Sequence, residues 1–494
     1  MSEGRRRVAW AVLALALATL PFLVSDFVPC VDLPQHLGQL RLFGEAWHDP
    51  AGSLEIRWWT PYWLVYAFLA VPWLLAPPLV AGKVALLLLV WLQIAMIHFL
   101  AARFERPVGG ALLASAFVFS QIFYWGFLNF AFGWLVCVGW LLLVRGFSSE
   151  RQPWRAAPVF FAAAAALYFG HALWFGAGMA YLAIDAWLAR RPWRELRWRL
   201  AGVLPVLVTA GVWFTFYRGS VEDRDPSWLI LPPERLVPTF FGPASLGALR
   251  GPLEGLVLVV AGLWIAVSLV ANRRQRWWGC EPRLAAFGML LLAFYLVLPN
   301  EYVNAIQFSD RWLPFAWILL LLAVGSPPLR PGLRRLVPAL LFASLMLVTA
   351  SAWLRFERVE LTGLAGSLAA LPPEPRVVGL SYLERSRYVI GRPFIQLFSW
   401  SYALRGGSLN FSFSEFPTSL VVDTRGENPW TQGLEWNPKW VRKSDLEHFD
   451  FALVQGDAAA HAKMTTLGLL EPVTRQGRWR LYRVERTAPL VPLR

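Results

Sequence analysis

The residues best suited to chemistry lie in a short stretch near the N-terminus. Segment 31–39 reads VDLPQHLGQ and opens an apolar pattern with helical spacing that continues to Trp47. The pattern predicts an amphipathic helix resting on the membrane surface. Asp32 and His36 are four residues apart, so a helix places them side by side at its start. Such a carboxylate and imidazole can act as acid-base partners or share a divalent metal ion. The alternative is that Asp32 only caps the helix and His36 is solvated.

Further ionisable residues stand at the ends of later apolar segments. His171 separates two such segments, Glu301 follows another, and Asp310 and Arg311 directly precede the next. Ionisable groups at these boundaries are more often functional than groups on a soluble surface. For His171 and Asp310 the alternative is snorkelling or capping. Arg311 can anchor to lipid headgroups or hold a phosphate bidentately.

The elements that must position these residues are apolar helices. The chain has 494 residues, of which 57% are hydrophobic and only 16% charged. The composition predicts a mainly α polytopic transmembrane bundle of about 11–12 membrane helices. The apolar blocks fall at 8–25, 61–76, 79–101, 108–123, 129–144, 156–170, 172–188, 200–217, 252–271, 284–299, 312–325 and 336–354.

The net charge of +14 is concentrated in short arginine-rich loops between these blocks. Such loops are typical of cytoplasmic retention, and a basic helix of the kind that binds nucleic acid is absent from the sequence. We therefore predict a multi-pass inner-membrane protein that contacts membrane lipids and no nucleic acid. Its N-terminus is expected in the cytoplasm.

The block at 61–76 decides whether the number of membrane crossings before Arg145 is odd or even. The loop after the first span is expected outside and Arg145 inside, but four apolar blocks lie between them. An even number of crossings cannot change sides. If 61–76 is re-entrant or interfacial, Arg103 and Arg106 become cytoplasmic, as the positive-inside rule requires. The alternative is that these two arginines break the rule.

The chain divides near residue 360 into two parts. Residues 1–360 form the predicted membrane domain, with a first outer loop at 26–60, and 361–494 form a small soluble α/β domain on the periplasmic or extracellular side. The soluble part has no nucleotide loop, metal-ligand cluster or nucleophile motif in its sequence. It could bind an acceptor or cover the membrane site, and a packing cap is the alternative.

This layout resembles the GT-C superfamily of integral-membrane glycosyltransferases, which use polyprenyl-phosphate-linked sugars. The stretch DLPQHL at 32–37 is similar to the first-loop motif of bacterial members, in which the acidic residue is catalytic. The stretch DRWLP at 310–314 resembles their late span, whose Arg lies near the lipid phosphate. The resemblance implies catalytic roles for Asp32 and His36, and substrate binding by His171, Glu301, Asp310 and Arg311.

One departure from the superfamily pattern concerns the acidic motif. Many members carry paired acids in the first loop, whereas Asp32 has no adjacent acid. Glu45, Asp49 or Glu55 could supply a second carboxylate, or none of them. A divalent metal ion at Asp32 and His36 therefore stays open, and so does catalytic activity itself.

The implied function is transfer of a sugar from a polyprenyl-phosphate donor to a glycan, lipid or protein acceptor at the periplasmic face. A transporter or flippase for lipid-linked sugars is one alternative, although transporters usually show internal repeats and the sequence shows none convincingly. A catalytically inactive GT-C-like scaffold is the other.

Overall fold

The computed structural model describes residues 3–147, 152–222, 225–426, 428–466 and 470–485. Most of these residues are helical. The helices up to residue 355 are α1 (Glu3–Val24), α2 (Leu33–His48), α3 (Trp63–Leu75), α4 (Pro78–Arg103), α5 (Val108–Ser115), α6 (Gln121–Trp125), α7 (Leu128–Gly146), α8 (Ala156–Gly170), α9 (Ala172–Leu188), α10 (Trp193–Ser220), α11 (Pro238–Ser245), α12 (Leu253–Ala271), α13 (Pro282–Val297), α14 (Leu313–Ala323) and α15 (Leu333–Arg355).

The C-terminal region combines short helices with strands. The helices are α16 (Leu364–Ala369), α17 (Trp400–Arg405), α18 (Lys443–Leu446) and α19 (Ala458–Thr466). The strands of the chain are β1 (Leu54–Ile56), β2 (Arg376–Ser381), β3 (Ser408–Leu409), β4 (Val421–Asp423), β5 (Phe451–Gln455), β6 (Leu470–Pro472) and β7 (Trp479–Val484). Five of them form a mixed sheet in the order β3-β2-β5-β7-β6, in which β2 runs parallel to β3 and β5.

The helices before residue 361 have the length and composition of a membrane bundle. Within the described residues, seven helical runs are long and apolar enough to cross a membrane, and α3, α8, α9 and α13 are shorter apolar helices. The predicted fold class, a mainly α membrane bundle followed by a small C-terminal α/β region, is confirmed. The chain is a membrane protein.

The basic loops meet at one end of this bundle. Arg7 donates to the carbonyl of Arg106 over 2.9 Å, and Arg145 donates to the carbonyl of Arg103 over 2.7 Å. Arg191 in turn donates to the carbonyl of Arg145 over 3.1 Å. Loops that are far apart in sequence therefore form one arginine-rich end.

The helix α3 begins and ends on the side of the bundle that is opposite the arginine-rich end. Tyr62, just before α3, lines the cavity that contains Asp32. Lys83, in the first turns of α4, forms an ion pair of 2.6 Å with Asp26, which follows α1. Thus α3 joins two points on the same side, and its 13 residues rise only about 20 Å. This arrangement supports the expectation that 61–76 does not cross the membrane.

Some of the tryptophans lie inside the bundle and not in the interfacial belt that span ends favour. Trp134, Trp174 and Trp312 are buried, and each of them packs against one or more neighbouring aromatic rings at 5.0–5.4 Å. They fill the space between helices behind the Asp32 cavity. Aromatic packing in the core, and not anchoring alone, thus explains part of the high tryptophan content.

The helix α2 differs most from its sequence-based expectation. The pattern predicts an amphipathic helix resting on the membrane surface, but residues 33–40 are buried beneath the C-terminal region. Gln39 exchanges two hydrogen bonds with the backbone of Val421, of 2.8 and 3.1 Å, and Gln35 donates to Gln396 and Ser399. Strand β1 also pairs antiparallel with β4.

These contacts join the first loop to the C-terminal region. Buried residues on both sides of position 360 belong to one continuous core. The division into domains at that position stays a prediction.

The amide of Gln39 provides a test of this attachment. In Gln39→Ala, the N–H and carbonyl of Val421 lose their buried partners, so the free energy of unfolding should fall by about 1–3 kcal/mol. Thermal unfolding of the purified protein measures this change. Gln432→Ala, at an exposed position, is the control. Equal stability of the two variants would contradict the proposed attachment.

Candidate active site

A cavity of about 440 Å³ lies where α2, the α6–α7 turn, the loop before α14 and the C-terminal region meet. Its lining includes four of the six predicted site residues: Asp32, His36, His171 and Arg311. Residues far apart in sequence thus reach one cavity. Their chemical roles stay predictions.

Asp32 is positioned by the turn between α6 and α7. The amide N–H groups of Val31 and Asp32 donate to the carbonyls of Tyr124 and Trp125, over 2.9 and 3.2 Å. Gly126 adopts φ +81° at this turn, and a Cβ there would lie 2.6 Å from the Asp32 nitrogen. The turn therefore needs glycine both for its left-handed conformation and for this close approach.

The Asp32 side chain does not cap α2, although the residue stands at the N-cap position. Its carboxylate keeps some exposure, and it faces the cavity. Burial raises the pKa of Asp32 well above its ordinary value, while the charge of Arg311 opposes this rise. A carboxylate with a raised pKa is a stronger base than a solvated one.

Arg311 lies in the single helical turn Asp310–Trp312 that leads into α14. Its Nη2 donates to the carbonyl of Ile306 over 2.8 Å, and its guanidinium lies 4.0 Å from the ring centroid of Phe127. Its Nε has no hydrogen-bond partner among the described residues. The guanidinium thus has an unused donor, and Arg311 lines the cavity.

His36 has both ring nitrogens engaged. Its Nε2 lies 3.1 Å from the carbonyl of Gly126, which can only accept, so Nε2 carries the hydrogen. Its Nδ1 lies 3.1 Å from the hydroxyl of Tyr66 and accepts from it. Burial lowers the pKa of His36 to about 4, so the ring is neutral at pH 7.

A metal ion does not fit the pair Asp32 and His36. Neither nitrogen of His36 has a lone pair free for coordination in this arrangement. Within the described residues there is also no group of three or more His, Cys, Asp or Glu side chains placed to hold a metal ion.

His171 occupies the junction of α8 and α9. Its Nδ1 accepts the amide N–H of Leu173 over 3.1 Å and so caps α9. The ring packs edge-on against Tyr62 and Phe130, with centroids 5.0 and 5.1 Å away. The capping role considered from the sequence is present, and the ring also lines the cavity.

Glu301 and Asp310 do not line the cavity. The backbone of Glu301 pairs with Ser227, and the carboxylate of Asp310 accepts a hydrogen bond of 3.2 Å from Ser309. This placement does not support direct substrate binding by either residue. Substrate binding by these two residues stays a prediction.

Sequence reasoning missed several residues that line the cavity. Trp125 and Phe127 come from the α6–α7 turn, and Glu435 and Trp436 come from the C-terminal region. None of them belongs to a recognisable motif. The one usable signal was the glycine between Trp125 and Phe127, which marks a turn beside two aromatic residues.

A second and larger cavity of about 1280 Å³ adjoins the first. Val221, Asn304, Phe416 and Pro417 line both of them. Acidic side chains line the larger cavity, together with hydroxyl and amide side chains of the C-terminal region. Its ionisable lining residues are Glu45, Glu222, Tyr402, Glu415, Asp423, Arg425 and His448.

Comparison with solved structures shows that the fold is similar to that of ArnT. The similar structures are crystal structures of ArnT from Cupriavidus metallidurans, in the apo state and bound to undecaprenyl phosphate, with TM-scores of 0.52 and 0.53. Each is 14% identical to this chain, and the alignments cover 96% of this chain and 98% of ArnT. No family model matches the sequence, and no curated protein does.

The Gly126 turn provides a test of how Asp32 is held. Gly126→Ala should lower the free energy of unfolding by more than about 1 kcal/mol, because the methyl group meets Asp32 and φ is positive. It should also raise the rate at which a maleimide labels Cys30, which is buried two residues before Asp32. Thermal unfolding and peptide mass spectrometry measure the two effects.

Gly139→Ala is the matched control, since a Cβ at Gly139 would have open space around it. If Gly126→Ala behaves like this control in both measurements, the turn does not hold Asp32 in place.

Proposed function

We propose that the protein is a GT-C-type glycosyltransferase that transfers a sugar from a polyprenyl phosphate to an acceptor hydroxyl. The observation that carries this proposal is that a cavity in an ArnT-like fold contains both a base and a cation, Asp32 and Arg311. ArnT has been crystallised with undecaprenyl phosphate, which supports a donor of that class.

The reaction is a displacement at the anomeric carbon of the sugar. Asp32 takes the proton of the acceptor hydroxyl while the oxygen of that hydroxyl forms a bond to the anomeric carbon. The bond from the carbon to the phosphate oxygen breaks, and its electron pair leaves with the polyprenyl phosphate. Arg311 stabilises the charge of the leaving phosphate through its guanidinium.

The other cavity residues have supporting roles in this scheme. His36, held between Tyr66 and Gly126, ties α2 to the α6–α7 turn and so positions Asp32. The larger neighbouring cavity admits the acceptor, which can be a glycan, a lipid or a protein. Because the ionisable residues of the site lie at one end of the bundle and not at its middle, the arrangement favours interfacial chemistry over transport.

The arginine-rich end of the bundle sets the proposed orientation. Following the positive-inside rule, we place that end and the N-terminus in the cytoplasm of an inner-membrane protein. Asp32, its cavity and the region from residue 361 then face the periplasm.

Asp32→Asn is the direct test of the proposed base. The variant keeps the shape of the side chain but cannot take a proton, so sugar transfer from a polyprenyl-phosphate donor should fall about 100- to 10,000-fold. Transfer is measured with the protein in membranes. Asp26→Asn, six residues earlier and exposed, should stay within a factor of about 2, since a surface ion pair contributes little. Full activity of Asp32→Asn would overturn the assignment.

The pH profile supplies an independent test. Asp32 must be ionised to act as a base, so kcat/KM should fall as the pH drops through its raised pKa, well above pH 4. Arg311→Gln removes the charge that lowers the pKa of Asp32, so the falling limb should move to higher pH. Arg311→Lys keeps the charge and should leave the limb near its original position. A profile that is flat down to pH 4 would contradict this role of Asp32.

A further inference from the structure

The wall of the Asp32 cavity contains a continuous stack of aromatic rings. Phe127 lies under the guanidinium of Arg311, and Trp125 stacks on Phe127 with ring centroids 6.1 Å apart and an interplanar angle of 12°. Trp436 stacks on Trp125 at 6.3 Å and 27°. The stack therefore extends from Arg311, the proposed phosphate-binding residue of the membrane bundle, to Trp436 in the C-terminal region.

Glu435 lies next to this stack and lines the same cavity. Its side chain is only 6% exposed, and its Oε2 has no hydrogen-bond partner among the described residues. Burial raises the pKa of Glu435 to about 7. A buried carboxylate oxygen without a partner is costly, so a hydrogen-bond donor that enters the cavity would gain by reaching it.

None of the first-loop acids Glu45, Asp49 and Glu55 lines the Asp32 cavity. Glu45 accepts a hydrogen bond from Tyr402 in the larger cavity, and Glu55 pairs with Arg57. Among the described residues that line the Asp32 cavity, the acids are Asp32 and Glu435. The second carboxylate thus comes from the opposite end of the chain.

Trp436 differs from a tryptophan that only packs the C-terminal core. Nearby Trp430 is buried, donates its indole N–H to the carbonyl of Asn410 and contacts Phe449. Trp436 instead is partly exposed and lines the cavity, and the Arg392 guanidinium lies 5.1 Å from its ring centroid. A partly exposed indole beside a carboxylate suits a ring that has C–H bonds on one face and hydroxyl groups at its edge.

We propose that Glu435, Trp436 and Trp125 form the subsite for the sugar ring of the polyprenyl-phosphate donor. The ring stacks on the indoles, and its hydroxyl groups donate hydrogen bonds to Glu435. The inference rests on the proposed function. The donor sugar is favoured over the acceptor because this stack continues directly to Arg311, and because the carbonyl of Trp125 accepts the amide hydrogen bond of Asp32.

Binding measurements on the full-length protein in nanodiscs test the subsite. The probes are undecaprenyl phosphate alone and undecaprenyl phosphate that carries glucose, mannose, galactose or arabinose. At least one sugar-bearing probe should bind about 10-fold more tightly than the bare lipid, as expected for one good charge-assisted hydrogen bond. Glu435→Gln and Trp436→Ala should each reduce this preference to about 2-fold or less while leaving the affinity for the bare lipid unchanged.

Glu447→Gln and Trp440→Phe are the matched controls, because both residues are exposed in the same region and neither lines the cavity. They should keep the full preference. If the wild-type protein binds the bare lipid but shows no preference for any sugar-bearing probe, the subsite is refuted and the proposed function stands. The subsite is also refuted if the two site variants weaken bare-lipid binding as much as sugar-lipid binding.

Failure of the wild-type protein to bind undecaprenyl phosphate at all would refute the proposed function, and the subsite with it. Titration of the wild-type protein with undecaprenyl phosphate alone therefore distinguishes failure of the proposed function from failure of the subsite.

Discussion

The arrangement of the site depends on the attachment of segment 31–32 to the turn between α6 and α7. Two backbone hydrogen bonds join this segment to Tyr124 and Trp125, and the His36 ring contacts the carbonyl of Gly126. These backbone hydrogen bonds restrict the position of Asp32. The chains also approach so closely at Gly126 that a side chain there has no room. The turn thereby sets the position of Asp32 relative to the aromatic rings on either side of Gly126.

The same turn links the two parts of the chain. Through Phe127 it contacts Arg311, and through Trp125 it contacts Trp436 of the C-terminal region. The C-terminal region also packs directly on α2, where the side-chain amide of Gln39 forms two hydrogen bonds with the backbone of Val421. Residues of the membrane bundle and of the loops between the C-terminal strands thus line one cavity. The region after residue 360 therefore contributes to the candidate site.

Much of the site could be predicted from short-range patterns. Asp32 and His36 are marked by helical spacing, His171 and Arg311 by their positions at the ends of apolar segments, and all four line one cavity. Glu301 and Asp310 met the same criterion and lie outside that lining, because a boundary position does not determine where a side chain points. The cap considered as the alternative for Asp32 is absent for a related reason, since residue type favours a cap but tertiary contacts decide the rotamer.

The sequence by itself determined the apolar bundle, its arginine-rich end and the α/β character of the C-terminal region. These features follow from composition and from periodicity over neighbouring residues. Only the tertiary structure decided that α2 is buried, that α3 starts and ends on one side, and that Glu435 and Trp436 reach the Asp32 cavity. These features depend on contacts between residues hundreds of positions apart, and no local pattern records such contacts.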